Sequence, residues 1–239
     1  MRLTLKLWAC TASICIGLGP GHLAQAAEYN WPAYGGAPGG GHYTTSTQIT
    51  PANVAQLSLA WHHRSGDFIA GTQDLSETGD SMEGRPSSFI VTPIMFNDTV
   101  YYCTPFNRVF ALDPATGKEK WVFDAQVDMT NELLTNCRGV SSWADHTDNS
   151  GSPCSKRILL GTLDARLIAL DADTGARCTD FGQNGEVSLT QGLSRHEADE
   201  YSITSAPAII GDTLITGSYV ADSVRLDIPS GVVRAYDVR

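Results

Sequence analysis

The chain has 239 residues, 42% of them hydrophobic, with 26 acidic against 16 basic side chains and a formal charge of −10. That length supports a substantial core. No basic stripe is present to follow a phosphate backbone, so nucleic acid is excluded as a partner class.

At the N-terminus, Arg2 and Lys6 precede an apolar run from Leu7 to about Leu18, and Ala24-Gln-Ala26 offers a small-residue cleavage site. Residues 1–26 read as a secretory signal peptide whose apolar run is too short for a membrane span, and no later segment is expected to cross a bilayer. The domain proper is then 27–239, exported and acidic; loss of Arg2 and Lys6 moves the formal charge from −10 to −12. Cleavage also removes Cys10 and Cys15 and leaves Cys103, Cys137, Cys154 and Cys178. In an oxidising compartment these are expected to pair, and three pairings exist. Cys137 with Cys154, which bracket a polar insert, is the expected bond. No Cys-x-x-Cys-His is present, hence no sign of covalently attached haem.

Trp31 to His42 is glycine-rich irregular backbone without the strand-before, helix-after context of a phosphate loop. Ile49 to Leu57 has a Thr-Pro start compatible with a short helix, and Leu57 to Trp61 reads as a strand. Residues 65–88 are polar and loop-like. Phe89–Phe96 and Thr99–Cys103 form a hairpin across Asn97-Asp98, a design that recurs at Ser205–Ser218. Val109 to Leu112 is apolar throughout, as in a strand buried on both faces. Asp113-Pro-Ala-Thr-Gly117 supplies tight-turn chemistry, and Trp121 follows as an apolar anchor. Ile158–Leu170 is a further hairpin turning near Asp164-Ala165. The strand-and-turn pattern returns at Leu167–Cys178 and begins again at Val233–Arg239, with Asp113, Asp171 and Asp237 spaced by 58 and 66 residues. Such repeats, with helical periodicity nearly absent, predict an all-β fold, a β-propeller of four-stranded antiparallel blades. His62, His63, His146 and His196 sit in polar stretches without ligand spacing and read as surface residues.

Several motifs resemble a known family. Trp31-Pro-Ala-Tyr-Gly-Gly36, Gln48–Val54, Leu59-Ala-Trp61 and Gly66-Asp67 are similar to the N-terminal blade of the quinoprotein dehydrogenases that use pyrroloquinoline quinone (PQQ). Thr92-Pro93, Cys103–Asp113, Cys137-Arg-Gly-Val140, Thr204–Pro207 and Pro229–Asp237 most resemble the glucose/quinate/shikimate branch, whose members oxidise sugars or cyclitols in the periplasm. The resemblance implies an eight-bladed propeller of which this chain is a part truncated after about three repeat units. The catalytic aspartate of the family would lie beyond Arg239. It implies PQQ and Ca²⁺ as cofactors, a small-molecule alcohol or sugar as substrate, and a membrane quinone as electron acceptor.

Carried over residue by residue, Arg108 matches an arginine that bonds the quinone oxygens, a role suited to a guanidinium that polarises a carbonyl while staying charged. Thr204 matches a hydroxyl that bonds a cofactor carboxylate. Asp222 falls where alcohol-oxidising members place a metal-ligating glutamate, and a hard carboxylate oxygen is what Ca²⁺ requires. The backbone from Gly217 and Ser218 to Ala221 would line the same pocket, with Arg108 and Asp222 expected at one end of a central channel. In one departure, Ile90 stands where relatives often carry a cofactor-contacting glutamate. Cys103 also lacks the adjacent second cysteine of the methanol- and ethanol-oxidising branches. A reading from another class, a non-enzymatic envelope propeller that scaffolds other proteins, fits the repeats equally well. Arg108 and Asp222 discriminate, since a scaffold has no reason to aim both at one pocket.

Overall fold

The computed structural model describes residues 30–37, 39–68, 86–129, 135–148, 150–193, 196–197, 200–222 and 226–239. The expected signal peptide lies outside the described residues. Within them, helix is confined to a 3-10 turn over Val54–Gln56, a shorter element than the helix expected there.

The first sheet contains β1 (Ile94–Phe96), β2 (Thr99–Cys103), β3 (Arg108–Leu112) and β4 (Glu119–Asp124), in that order and antiparallel throughout. β1 and β2 meet through Asn97 and Asp98, both at φ 50°, the left-handed two-residue turn whose twist matches that of the strands it joins. The second sheet repeats the order with β5 (Ser141–Ala144), β6 (Lys156–Gly161), β7 (Arg166–Asp171) and β8 (Glu186–Ser188). Beyond it, β9 (Tyr201–Ser202) pairs with β12 (Tyr219–Val220), while β10 (Ala208–Ile210), β11 (Thr213–Thr216) and β13 (Arg234–Asp237) form a three-stranded third sheet. Leu57–Trp61, expected as a strand, belongs to no sheet among the described residues.

Period-2 alternation decides which sheet each side chain meets. Ile158, Leu160, Ile168 and Leu170 pack with Tyr101, Val109 and Ala111 of the first sheet. Their neighbours Leu159, Leu167 and Ala169 pack with Ile203, Leu214 and Val238 on the other side. Both faces of the second sheet are therefore core, as its unbroken apolar strands require.

The repeated turn locks one sheet to the next. Asp113 accepts hydrogen bonds from the backbone and hydroxyl of Thr116, and Asp171 does the same for Thr174. Gly117 and Gly175 close the turns at φ +69° and +74°. Trp121 of β4 lies on Gly175 and donates Nε1–H to Ala172 O at 3.0 Å. Trp61 lies on Gly117 in the same way, donating to Pro114 O at 3.0 Å.

Two expectations are corrected. The disulfides are Cys103–Cys137 and Cys154–Cys178, with Cα separations of 5.9 and 5.7 Å. Cys137 precedes the first residue of β5, whereas Cys154 lies beyond the Ala144–Lys156 pair at the other end of that strand, so these two cannot meet. Cys137 instead meets the end of β2 and staples the first two sheets. His63 is not a surface residue. Its Nδ1 is 2.6 Å from the Tyr102 hydroxyl and its Nε2 is 2.7 Å from Glu119 Oε1. A carboxylate only accepts, so Nε2 donates to Glu119 and Nδ1 accepts from Tyr102 in the neutral ring.

Candidate functional site

Strand register assigns the chemically distinctive residues to one end of the sheets. Cys103 pairs with Val109 and Arg108 with Asp124, while Ile94 pairs with Tyr101. Arg108 thus lies at the end from which β1 starts. In the third sheet Ala208 pairs with Ile215, and Thr216 with Arg234. Thr204, just before β10, and Gly217-Ser218, just after β11, therefore share its starting end.

The segments before β1, β5 and β10 are tied laterally. The backbone N–H of Thr92 donates to Arg138 O at 3.0 Å, and that of Arg138 donates to Thr204 O at 2.8 Å. These two bonds set the three starting ends side by side, so that Arg108, Thr204, Gly217 and Ser218 occupy one end of the molecule.

Arg108 is held tightly. Its Nη1 donates to Asp67 Oδ1 at 2.7 Å and to Ser65 O at 3.3 Å, and its guanidinium lies 4.8 Å from the centre of the Phe110 ring. Among the described residues its Nε and Nη2 carry no hydrogen-bond partner, which leaves two donor edges for a ligand. Thr204 is buried, and its Oγ1 accepts from Arg138 Nη1 at 2.9 Å. Because that oxygen accepts, its own proton stays available to donate. Among the described residues the buried Ser218 Oγ has no hydrogen-bond partner, an unsatisfied group of the kind a polar ligand would complete. Ala221 is buried and donates N–H to Glu200 O at 3.0 Å.

Asp222 follows β12, is exposed, and donates its backbone N–H to Val220 O at 2.9 Å. Ca²⁺ takes six to eight oxygens. Among the described residues no group of three His, Cys, Asp or Glu ligand atoms includes Asp222, so it offers one ligand rather than an assembled metal cage. The one such group, Cys154, Cys178 and Asp180, contains two disulfide sulfurs.

Two residues of this end escaped the sequence reading as participants, Asp67 and Arg138. Both stand in quoted motifs, Gly66-Asp67 and Cys137-Arg-Gly-Val140, but their partners lie 41 and 66 residues away. A groove of about 900 Å³ runs elsewhere, past Tyr34, Phe96, Trp143 and Ile210. Phe96 and Ile210 end β1 and β10, so the groove reaches the opposite end from Arg108, and its apolar lining does not suit an anionic quinone.

Residues 31–239 match the family described as PQQ: Glucose/ethanol/alcohol dehydrogenase, beta-propeller domain. The chain is 40% identical over 228 residues to the quinate/shikimate dehydrogenase (quinone) of Acinetobacter baylyi, covering 88% of this chain and 26% of that protein. It is 37% identical to quinoprotein glucose dehydrogenase A of Acinetobacter calcoaceticus, covering 89% and 27%. Among solved structures it is similar to the quinohemoprotein alcohol dehydrogenase from Comamonas testosteroni, with a TM-score of 0.64 at 25% identity, over 90% of this chain and 26% of that one. The chain thus spans about a quarter of the length of the relatives it matches.

Proposed function

Since the chain belongs to the PQQ-type glucose/ethanol/alcohol dehydrogenase β-propeller family, we propose that it is the N-terminal part of a PQQ-dependent dehydrogenase that oxidises a sugar, cyclitol or other polyol. The electrons would pass to a membrane quinone. One observation carries the reading: Arg108, Thr204 and Ser218, far apart in sequence, lie at one end of three adjacent sheets, each with unused hydrogen-bonding capacity. A non-enzymatic scaffold gives no account of that convergence.

When bound, PQQ supplies the two-electron acceptor for oxidation of the alcohol carbon. The residues of this chain hold and orient it. Arg108 directs Nε and Nη2 at the quinone oxygens, fixed in place by Asp67 and Phe110. Thr204 and Ser218 offer hydroxyls to the carboxylates, and Gly217 to Ala221 shape the wall. Ca²⁺ enters as the expected metal, with Asp222 as one ligand and the others supplied from outside the described residues. The base that removes the substrate proton, expected to be an aspartate, would come from outside this chain's residues. Sugars and polyols are favoured because matched relatives are named quinate/shikimate, glucose and glycerol dehydrogenases. The quinone acceptor is favoured by the name of the first of these. Periplasmic location rests on residues 1–26 acting as a cleaved signal peptide, with 27–239 as the exported part.

The test is reconstitution with PQQ and Ca²⁺, followed by dye reduction. A protein continuing this chain to the length of its relatives should turn over a sugar, cyclitol or polyol, and the 239-residue chain alone should not. Turnover by the chain alone, or none by the longer protein with any such substrate, overturns the proposal.

A further inference from the structure

The two disulfides differ in what can reach them. Cys103 and Cys137 are both buried, whereas Cys154, the partner of the buried Cys178, is half-buried and reaches the surface. The second pair also stands beside a carboxylate. Its two sulfurs and a carboxylate oxygen of Asp180 lie within 4.8 Å of one another. The Asp180 side chain is 59% exposed, so the group opens to solvent on that side. Asp180 Oδ2 accepts from Arg157 Nη2, and among the described residues its Oδ1 carries no hydrogen bond. Arg157 is itself fixed, donating Nε–H to Cys154 O at 3.0 Å with its guanidinium 5.6 Å from the centre of the Trp143 ring. Both cysteines are held by bonds other than the one between their sulfurs. Cys154 N–H donates to Asp171 Oδ2 at 2.7 Å, Cys178 N–H to Ala169 O at 2.9 Å, and Phe181 N–H to Cys178 O at 2.9 Å. Opening this disulfide therefore leaves two thiols on a fixed backbone, their Cα atoms 5.7 Å apart.

We propose that Cys154, Cys178 and Asp180 form a site for a thiophilic divalent cation of the Zn²⁺ type, which the disulfide closes and a dithiol reductant opens. In the opening step a thiolate of the dithiol attacks Cys154 Sγ, the accessible sulfur, and Cys178 leaves as a thiolate. The second thiolate of the dithiol then attacks its own sulfur in the mixed disulfide, closes the reductant's disulfide and releases the Cys154 thiolate. Two electrons pass from the dithiol to the protein. The cation takes both sulfurs and Asp180 Oδ1. Tetrahedral Zn–S bonds of about 2.3 Å set two sulfurs roughly 3.7 Å apart, a separation that rotation about χ1 supplies while the backbone stays in place. Metal ligands bind deprotonated. Two thiolates and a carboxylate then outweigh the Arg157 guanidinium, and a divalent cation neutralises the excess. Sulfur selects this class over Ca²⁺ and Mg²⁺, which take oxygen, and three protein ligands leave a fourth position to water. Cys154 lies at the end of β5 away from Cys137 and Arg138, so the site stands apart from the reading of the Arg108 end.

The test treats the folded chain with dithiothreitol, removes the reagent anaerobically, and titrates with Co²⁺, whose bonds to thiolates absorb in the near ultraviolet, and then with Zn²⁺. Mild reduction should free Cys154 and Cys178 to alkylation, mapped by peptide mass spectrometry, and leave Cys103 and Cys137 bonded. The reduced chain should take up a single equivalent of Co²⁺ with the thiolate absorbance. Zn²⁺ should displace it and shield Cys154 and Cys178 from alkylation, and the oxidised chain should show neither effect. Asp180→Asn should raise the Kd for Zn²⁺ about tenfold or more, since loss of even an outer-shell partner costs that much, while reduction proceeds as before. Cys154→Ser should abolish the thiolate absorbance. If that variant loses its β-sheet circular dichroism, Asp180→Asn, which keeps both disulfides, decides the matter. Release of Cys103 and Cys137 ahead of the other pair, or an unchanged Zn²⁺ Kd in Asp180→Asn, would overturn the proposal. Thiolate absorbance in the oxidised chain would do the same. So would loss of the β-sheet signal on reduction before any metal is added, because the site requires a backbone that holds without the disulfide.

Discussion

Tyr102 shows how much of a site is settled by burial at the scale of one side chain. It stacks on Phe110 with ring centres 5.3 Å apart and bonds His63, which in turn bonds Glu119. Its pKa is pushed up from 10.0 to about 12, chiefly by burial and then by the nearby charges of Glu119 and Asp67, against the opposing pull of Arg108. Tyr101, which donates to Ala172 O, is likewise raised to about 12, mainly by burial. A folded-state pKa above the unfolded value means stability that is intact below pH 10 and lost as the pH climbs towards 12. Phenolate absorbance should therefore show two tyrosines ionising late and together with loss of the β-sheet circular dichroism signal. Tyr102→Phe should move that alkaline loss upward while costing about 1 kcal/mol at neutral pH through the missing His63 bond. Titration of all eight tyrosines near pH 10 with the fold intact would refute the burial argument. Arg108 was legible as a candidate because a motif surrounds it. Its partner Asp67, the packing of His63 and the exposed guanidinium of Arg138 were not, because each is defined by a neighbour distant in sequence.

At the scale of the element, the Asp-to-Gly turn with its following tryptophan was the most legible part of the chain. Turn chemistry is local, and the spacing from Asp113 to Trp121 is short enough to read directly. What the turn does was half visible. Gly175 is needed both for its φ of +74° and for room, since a Cβ there would meet the Trp121 ring at 2.7 Å. Gly211 has a comparable φ of +60° but open space around it. Gly211→Ala should cost about 1 kcal/mol, the backbone strain alone. Gly175→Ala should cost about 2–4 kcal/mol, because the indole must also shift or lose its bond to Ala172. Chemical denaturation of the two variants checks this, and equal costs would mean that the ring does not fix the turn. The disulfide pairing stayed illegible for a related reason. A loop bracketed by cysteines looks closed in sequence, whereas strand register sends Cys137 and Cys154 to opposite ends of β5.

For the whole molecule, the three sheets are unequal in how they are covered. The second is enclosed by the other two, with β6 and β7 almost wholly buried. The first has one face against the second sheet and its outer face partly covered by Trp61. The third has one face on the second sheet and leaves the other open, with Ile210 at 66% exposure. Among the described residues it also has three strands where its predecessors have four. The four-stranded build of the first two sheets was readable from the repeats; this imbalance was not, because it depends on which faces find neighbours. Local opening costs less where fewer apolar contacts must be broken. Amide hydrogen exchange of the chain should therefore rank β6 and β7 as most protected, β2 and β3 next, and β10, β11 and β13 least. In a protein continued to the length of the relatives, further sheets would bury the open face, and the protection of β10, β11 and β13 should rise towards that of β6 and β7. Slow exchange in β11 and β13 of the 239-residue chain, equal to that of β6 and β7, would contradict this ranking and mean that the third sheet is complete without additional chain.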